Sequence, residues 1–211
     1  MVNSSEAARP SNGIDRPFIS PLSKHDYHAL IHRPLLKHLY LTGYRGTGKT
    51  SVATRLAAAI GCPVIDLDAR IQSHAGCSIR EIFADSGEQG FRDLESEMLS
   101  VVATEPPAVV ALGGGAILRE SNRELIQSSG QCVWLIATAE TLAMRIAADT
   151  GTTANRPALT PLGHLDEIRQ LLLTRQPHYE DAANAQVDTT DKSIEQVSDE
   201  ILAVCRDRQW C

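Results

Sequence analysis

The stretch "HLYLTGYRGTGKTSVATRL", residues 38–56, decides how this chain is read. An apolar run, His38–Leu41, ends in a glycine-rich turn. Apolar residues then return at Val52, Leu56 and Ile60, on one face of a helix. Between the two, Gly43-Tyr44-Arg45-Gly46-Thr47-Gly48-Lys49-Thr50 matches GxxxxGK[ST]. Glycines let the backbone turn tightly, so that its N–H groups face inward around a phosphate. The helix that follows adds the positive end of its dipole. Lys49 is expected to reach β- and γ-phosphates, and the Thr50 hydroxyl to take Mg2+. Gly43, Arg45, Gly46, Thr47, Gly48, Lys49, Thr50 and Ser51 are therefore the expected nucleotide-binding residues, with ATP as the cofactor.

The bulk composition narrows the setting. The chain has 211 residues, 43% apolar and 22% charged, enough for one domain with a mostly aliphatic core. Its net charge of −6 argues against nucleic acid or an anionic membrane as the main partner. The five cysteines (Cys62, Cys77, Cys132, Cys205 and Cys211) form no CxxC pair and read as free thiols in a cytoplasmic protein. No run approaches the ~18 apolar residues of a membrane span, and no apolar leader segment opens the chain. Residues 1–36 are rich in Ser, Pro, Asn and Gly and are expected to be a disordered or loosely attached tail. Residues 37–211 are expected to be a single domain.

Within that domain the pattern alternates. Short apolar runs at His38–Leu41, Pro63–Ile65, Ala108–Leu112, Cys132–Ile136 and Ala185–Val187 are separated by helical periods. In Phe91–Val102 the expected buried face is Phe91, Leu94, Met98 and Val101. Ser78…Glu81 and Ser121…Glu124 fit the capping-box spacing at helix starts. Alternating strands and helices predict an α/β three-layer sandwich with a five-stranded, mainly parallel sheet. Residues 149–165, "DTGTTANRPALTPLGHL", form a long polar interruption and are expected to be a lid.

Several charged residues then ask for partners. Asp66 and Asp68 close the second apolar run. Two apart on an extended segment, both carboxylates would face one site beyond the strand ends; a solvated strand-to-helix turn is the plainer alternative. The segment from about 66 to 95 is expected to bind the acceptor substrate. Arg92 has Glu88 four residues before it and Glu95 three after, a spacing that local ion pairing also explains. Arg175 continues the apolar face of Ile168, Leu171 and Leu172 toward Tyr179. An arginine on a core-facing stripe needs an anion, and a carboxylate held bidentately would serve. Arg156 lies in the lid, where a cation suits a moving phosphate. Gly113–Gly115 end a strand without side chains, allowing a ligand close to the backbone.

Taken together, "GYRGTGKTS", "DLDARI", "FADSGEQGFRDLE", "GGG", "NRPAL" and "RQPHYEDAA" resemble, in order and spacing, the signature of the shikimate kinases. The resemblance covers residues 37 to about 205. It implies a nucleoside-monophosphate-kinase type fold and transfer of the ATP γ-phosphate to the 3-hydroxyl of shikimate, on the route to chorismate and aromatic amino acids. It implies that Asp68, Arg92, Gly113, Gly114, Gly115 and Arg175 bind shikimate, with both arginines on its carboxylate. It implies Mg2+ at Thr50 and Asp66, catalytic roles for Lys49, Asp68 and Arg156, and Arg145 and Arg156 on the nucleotide; a monomer is expected. Departures are "RPAL" for the usual "RPLL", Gln72 where the family usually has Glu, and Arg45 where many members have an apolar residue. Two other readings stand beside it: a kinase of the same fold acting on gluconate or quinate, and a non-catalytic nucleotide-binding relative.

Overall fold

Strand alternation sends successive side chains to opposite faces of a sheet, and here both faces are covered. The computed structural model of the chain describes residues 35–148 and 164–211. The strands are β1 (His38–Thr42), β2 (Val64–Asp66), β3 (Val109–Ala111), β4 (Gly130–Ile136) and β5 (Ala185–Asp188). They form one sheet in the order β2-β3-β1-β4-β5, with every pairing parallel. All five residues of β1 are buried, as expected for the central strand of a doubly covered sheet. Leu41 sits opposite Ala111 on one side and Val133 on the other.

The helices are α1 (Lys49–Ile60), α2 (Leu67–Ala75), α3 (Ile79–Val102), α4 (Glu120–Ser129), α5 (Ala139–Ala148), α6 (His164–Ala182) and α7 (Ile194–Asp207). Leu39, Leu41, Val109, Val133 and Val187 point to one face, where α1 contributes Val52 and Leu56 and α7 contributes Ile201 and Leu202. Tyr40, Ile65, Val110, Cys132 and Trp134 point to the other, against Ile71 of α2, Phe91, Met98 and Leu99 of α3, Ile126 of α4 and Tyr179 of α6. A third cluster joins Tyr44 to Leu142 and Ile146 of α5 and Ile168 of α6. Leu35 is buried in the face lined by α1 and α7. The rest of the expected tail, residues 1–34, lies outside the described residues, as does most of the expected lid.

Three local expectations need correction. The capping box at Ser78 forms: the Ser78 hydroxyl accepts from the Glu81 N–H, and the Glu81 carboxylate accepts from the Ser78 N–H. The one expected at Ser121 does not, because α4 already starts at Glu120 after Arg119, with no side-chain cap. Asn122 and Arg123 donate instead to carbonyls of a short 3-10 turn, Ala116–Leu118, and this fixes an earlier helix entry. The buried face of α3 is Phe91, Glu95, Met98, Leu99 and Val102. Val101 is exposed, so the face is rotated to include a glutamate. Finally, Asp66 and Asp68 are not neighbours on an extended segment. Asp66 ends β2 and caps α2 through a 3.1 Å bond from the Ala69 N–H, while Asp68 is already helical. A carboxylate that satisfies a free helix N–H starts the helix at once.

Candidate active site

The carboxyl ends of parallel strands share one edge, where ligands of such sheets bind. The turn after β1, the Asp66 end of β2 and the glycines after β3 all lie on it. Gly48 takes a left-handed conformation (φ 88°) as the N-cap of α1, which only glycine adopts at little cost. Gly43 has no room for a side chain: a Cβ there would lie 2.4 Å from the Leu135 carbonyl. The Lys49 ammonium donates to the Gly43 and Tyr44 carbonyls at 2.8 and 2.9 Å. Thr47 folds back within the loop, its hydroxyl donating to the Tyr44 carbonyl at 2.8 Å. Gly46 packs toward α5, where a Cβ would meet Ile146 at 3.2 Å. Thr50 and Ser51 are exposed in the first turn of α1. The turn therefore sits at a helix N-terminus, closed by bonds to its own carbonyls, where backbone N–H groups and the helix dipole favour an anion.

The Thr50 hydroxyl donates to Asp66 Oδ2 at 2.7 Å. The other oxygen of Asp66 is held by the helix cap, so the carboxylate is fixed with one oxygen toward the phosphate loop. A hydroxyl and a single carboxylate oxygen side by side are the donor set Mg2+ takes when phosphates and water complete its shell.

The residues expected on the acceptor side gather at the glycine triplet. A Cβ on Gly113 would fall 2.6 Å from Glu95 Oε1 and 2.9 Å from Asp68 Oδ1. A Cβ on Gly115 would fall 2.5 Å from the Arg92 guanidinium. The carbonyl of Gly114 accepts from Arg175 at 3.3 Å and from the Tyr179 hydroxyl at 2.7 Å. Arg92 and Arg175, 83 positions apart in the chain, thus meet at successive glycines, with Asp68 at the third. Arg92 also forms both local pairs, with Glu95 at 2.6 Å and Glu88 at 3.3 Å. Burial alone would lower the Arg92 guanidinium, but the adjacent Glu95 and Glu88 hold it above its ordinary range. Among the described residues no carboxylate pairs with Arg175, which is buried. Among the described residues its partners are the Gly114 carbonyl, the Tyr179 hydroxyl and the face of Tyr44.

Glu95 and Tyr179 belong to the site more deeply than their sequence positions indicated. Glu95 is fully buried. Its spacing from Phe91 and Met98 was the available signal. Burial pushes the Tyr179 phenol up to about 12, so it stays protonated and donates to Gly114. Stacking on Trp134 at 5.2 Å holds its ring. Arg145 reaches from α5 to the Gly46 carbonyl at 3.3 Å and to Thr189 and Thr190 beyond β5. It therefore clamps the outer side of the phosphate turn. Arg156 lies outside the described residues.

A parallel sheet of this order with a phosphate turn after β1 defines a phosphotransferase-type P-loop fold. The family model described as "Shikimate kinase" matches residues 45–206. A shikimate kinase of Rhodopirellula baltica is 45% identical over 166 residues, covering 79% of this chain and 89% of its own. One from Symbiobacterium thermophilum is 37% identical over 171 residues, covering 81% and 97%. Among solved structures, the shikimate kinase of Acinetobacter baumannii in complex with shikimate superposes with a TM-score of 0.77 at 31% identity, over 87% of this chain and 98% of that one. The chain belongs to the shikimate kinase family.

Proposed function

We propose that the chain transfers the γ-phosphate of ATP to the 3-hydroxyl of shikimate, releasing shikimate 3-phosphate and ADP. The observation that carries this reading is the meeting of Arg92, Arg175 and Asp68 on Gly113–Gly115, beside the phosphate turn. Two guanidinium groups beside a carboxylate suit an acceptor that has an acid at one end and hydroxyls at the other.

Phosphoryl transfer asks the protein mainly for positioning and charge. The backbone N–H groups of residues 43–51 and the Lys49 ammonium would bind the phosphates, with Lys49 and Arg156 placing charge on the moving group. Arg145, fixed between the phosphate turn and the loop after β5, would lie against the adenine. Asp68 would hold the acceptor hydroxyl and orient or accept its proton. Arg92 and Arg175 would fix the carboxylate. Thr50 and Asp66 would hold Mg2+, which neutralises phosphate charge when bound.

The chain is proposed to work as a cytoplasmic monomer on small molecules, without nucleic acid or membrane. A net charge of −6 disfavours a nucleic-acid or anionic-membrane partner, and no helix among the described residues is long and apolar enough to cross a membrane. Coupled ADP release tests the activity, with shikimate, quinate and gluconate offered separately. Turnover confined to shikimate is expected. Preference for gluconate or quinate would replace the acceptor, and release with none of the three would remove the activity.

A further inference from the structure

We propose that Tyr179 is a positioning residue for the acceptor site: its hydroxyl holds the Gly114 peptide and the Arg175 guanidinium in one hydrogen-bonded triangle, so that both meet the acceptor already oriented. The proposal rests on the shikimate-phosphorylating reading above. Arg175 and Tyr179 lie four residues apart on α6 and therefore share a face. The Tyr179 hydroxyl donates to the Gly114 carbonyl at 2.7 Å, and Arg175 donates to the same carbonyl at 3.3 Å. The third side of the triangle joins Arg175 to the Tyr179 oxygen. A guanidinium has donors only. Within the triangle the phenol proton therefore goes to the Gly114 carbonyl, and the phenol lone pair accepts from Arg175.

The distances say which contact leads. An N–H bond of 3.3 Å lies beyond the usual range, whereas 2.7 Å is ordinary for a hydroxyl donor. The hydroxyl, and not Arg175, is thus the main anchor of the Gly114 carbonyl. That anchor is itself fixed: Tyr179 is fully buried, and its ring stacks on Trp134 of β4 with the planes 13° apart. The oxygen is therefore referenced to the sheet as well as to α6. Gly114 has no side chain to hold it in place. Its peptide is planar and trans, so a held carbonyl also turns the Gly115 N–H the opposite way. Arg175 has no carboxylate partner among the described residues, and the Tyr44 ring holds it only weakly. Without the hydroxyl it would have to be ordered at the moment of binding, which costs affinity.

Tyr179→Phe in the full chain tests the idea, because it keeps the ring and its stack and removes one oxygen. Shikimate and ADP binding are measured by calorimetry, and steady-state rates are taken with each substrate varied. Kd and KM for shikimate are expected to rise roughly fivefold, the scale of one hydrogen bond, with kcat changed far less and ADP Kd unmoved. A double-mutant cycle with Arg175→Lys is expected to be sub-additive in shikimate Kd, since the hydroxyl has less to hold once the fork is gone. A lowered urea midpoint with a wild-type shikimate Kd would make the hydroxyl a structural group alone. An equal rise in ADP Kd would make it a general brace, and full additivity with Arg175→Lys would separate it from Arg175; each of these results overturns the proposal. Should Tyr179→Phe not fold, Tyr179→Met removes the same oxygen and carries the same measurements. If the wild-type chain binds shikimate but does not phosphorylate it, the activity reading fails, while the calorimetric comparison still decides Tyr179.

Discussion

Lys49 is bonded to two carbonyls of its own turn, so its ammonium closes the turn. On the proposed reaction, replacing it removes charge where phosphate charge would develop. Lys49→Met should lower turnover by roughly 10²-fold or more, measured as kcat by coupled ADP release; undiminished turnover would reject its role. Arg175 makes a different kind of contact, a planar group wedged between Tyr44 and the Gly114 carbonyl. Arg175→Lys keeps the charge but loses the fork, so shikimate binding should weaken while ADP binding stays nearly intact. Calorimetry with each ligand checks this, and equal losses would contradict the assignment. Gly115→Ala would push a methyl to 2.5 Å from the Arg92 guanidinium. It should raise KM for shikimate and leave ATP KM alone. At this scale the sequence singled out Lys49, Asp68, Arg92 and Arg175, because phosphate turns and out-of-place charges leave local signatures, and the structure brings Asp68, Arg92 and Arg175 together at the glycine triplet. It under-weighted Glu95 and Tyr179, whose roles arise from a rotated helix face and a ring stacked across the sheet.

Among the elements, α3 is two helices joined at Gly87, whose backbone (φ 68°, ψ −170°) is not helical. The break lies just before Glu88, Phe91 and Arg92 and sets the direction from which they approach the glycine triplet. A Cβ at Gly87 would meet nothing within 4 Å, so Gly87→Ala isolates the backbone effect. It should cost about 1–3 kcal/mol for an alanine held in a backbone region that essentially only glycine populates, read as a shift in the urea midpoint; no shift would mean that the chain straightens without loss. All five strands were legible, because a sheet covered on both faces needs continuous apolar runs. The start of α2 was not: "DLD" reads equally as an extended pair or as a cap followed by a helix. Only the Asp66–Ala69 bond decides between them. The start of α4 was misplaced for a related reason, since the turn before it sets the entry by tertiary contacts that no local motif announces.

For the whole molecule, the pH dependence of stability starts at the edge of the sheet opposite the ligands. His38 opens β1, is buried, and accepts a hydrogen bond from the Ala108 N–H at its Nδ1. Burial lowers its pKa from the ordinary 6.5. The folded chain therefore resists a proton that the unfolded chain takes up as pH falls below 6.5. Stability contributed by neutral His38 is full above that pH and declines as pH drops toward the depressed folded value. Denaturant melts from pH 8 to 5 should show this slope in the wild type and a shallower one in His38→Gln; identical slopes would remove His38 as the cause. The same five-residue strand that begins at His38 ends at Thr42, immediately before the phosphate turn. It works like a short axle, with durability governed at one hub and chemistry at the other. Engineers seeking acid tolerance can therefore alter the far hub while the catalytic rim keeps its shape.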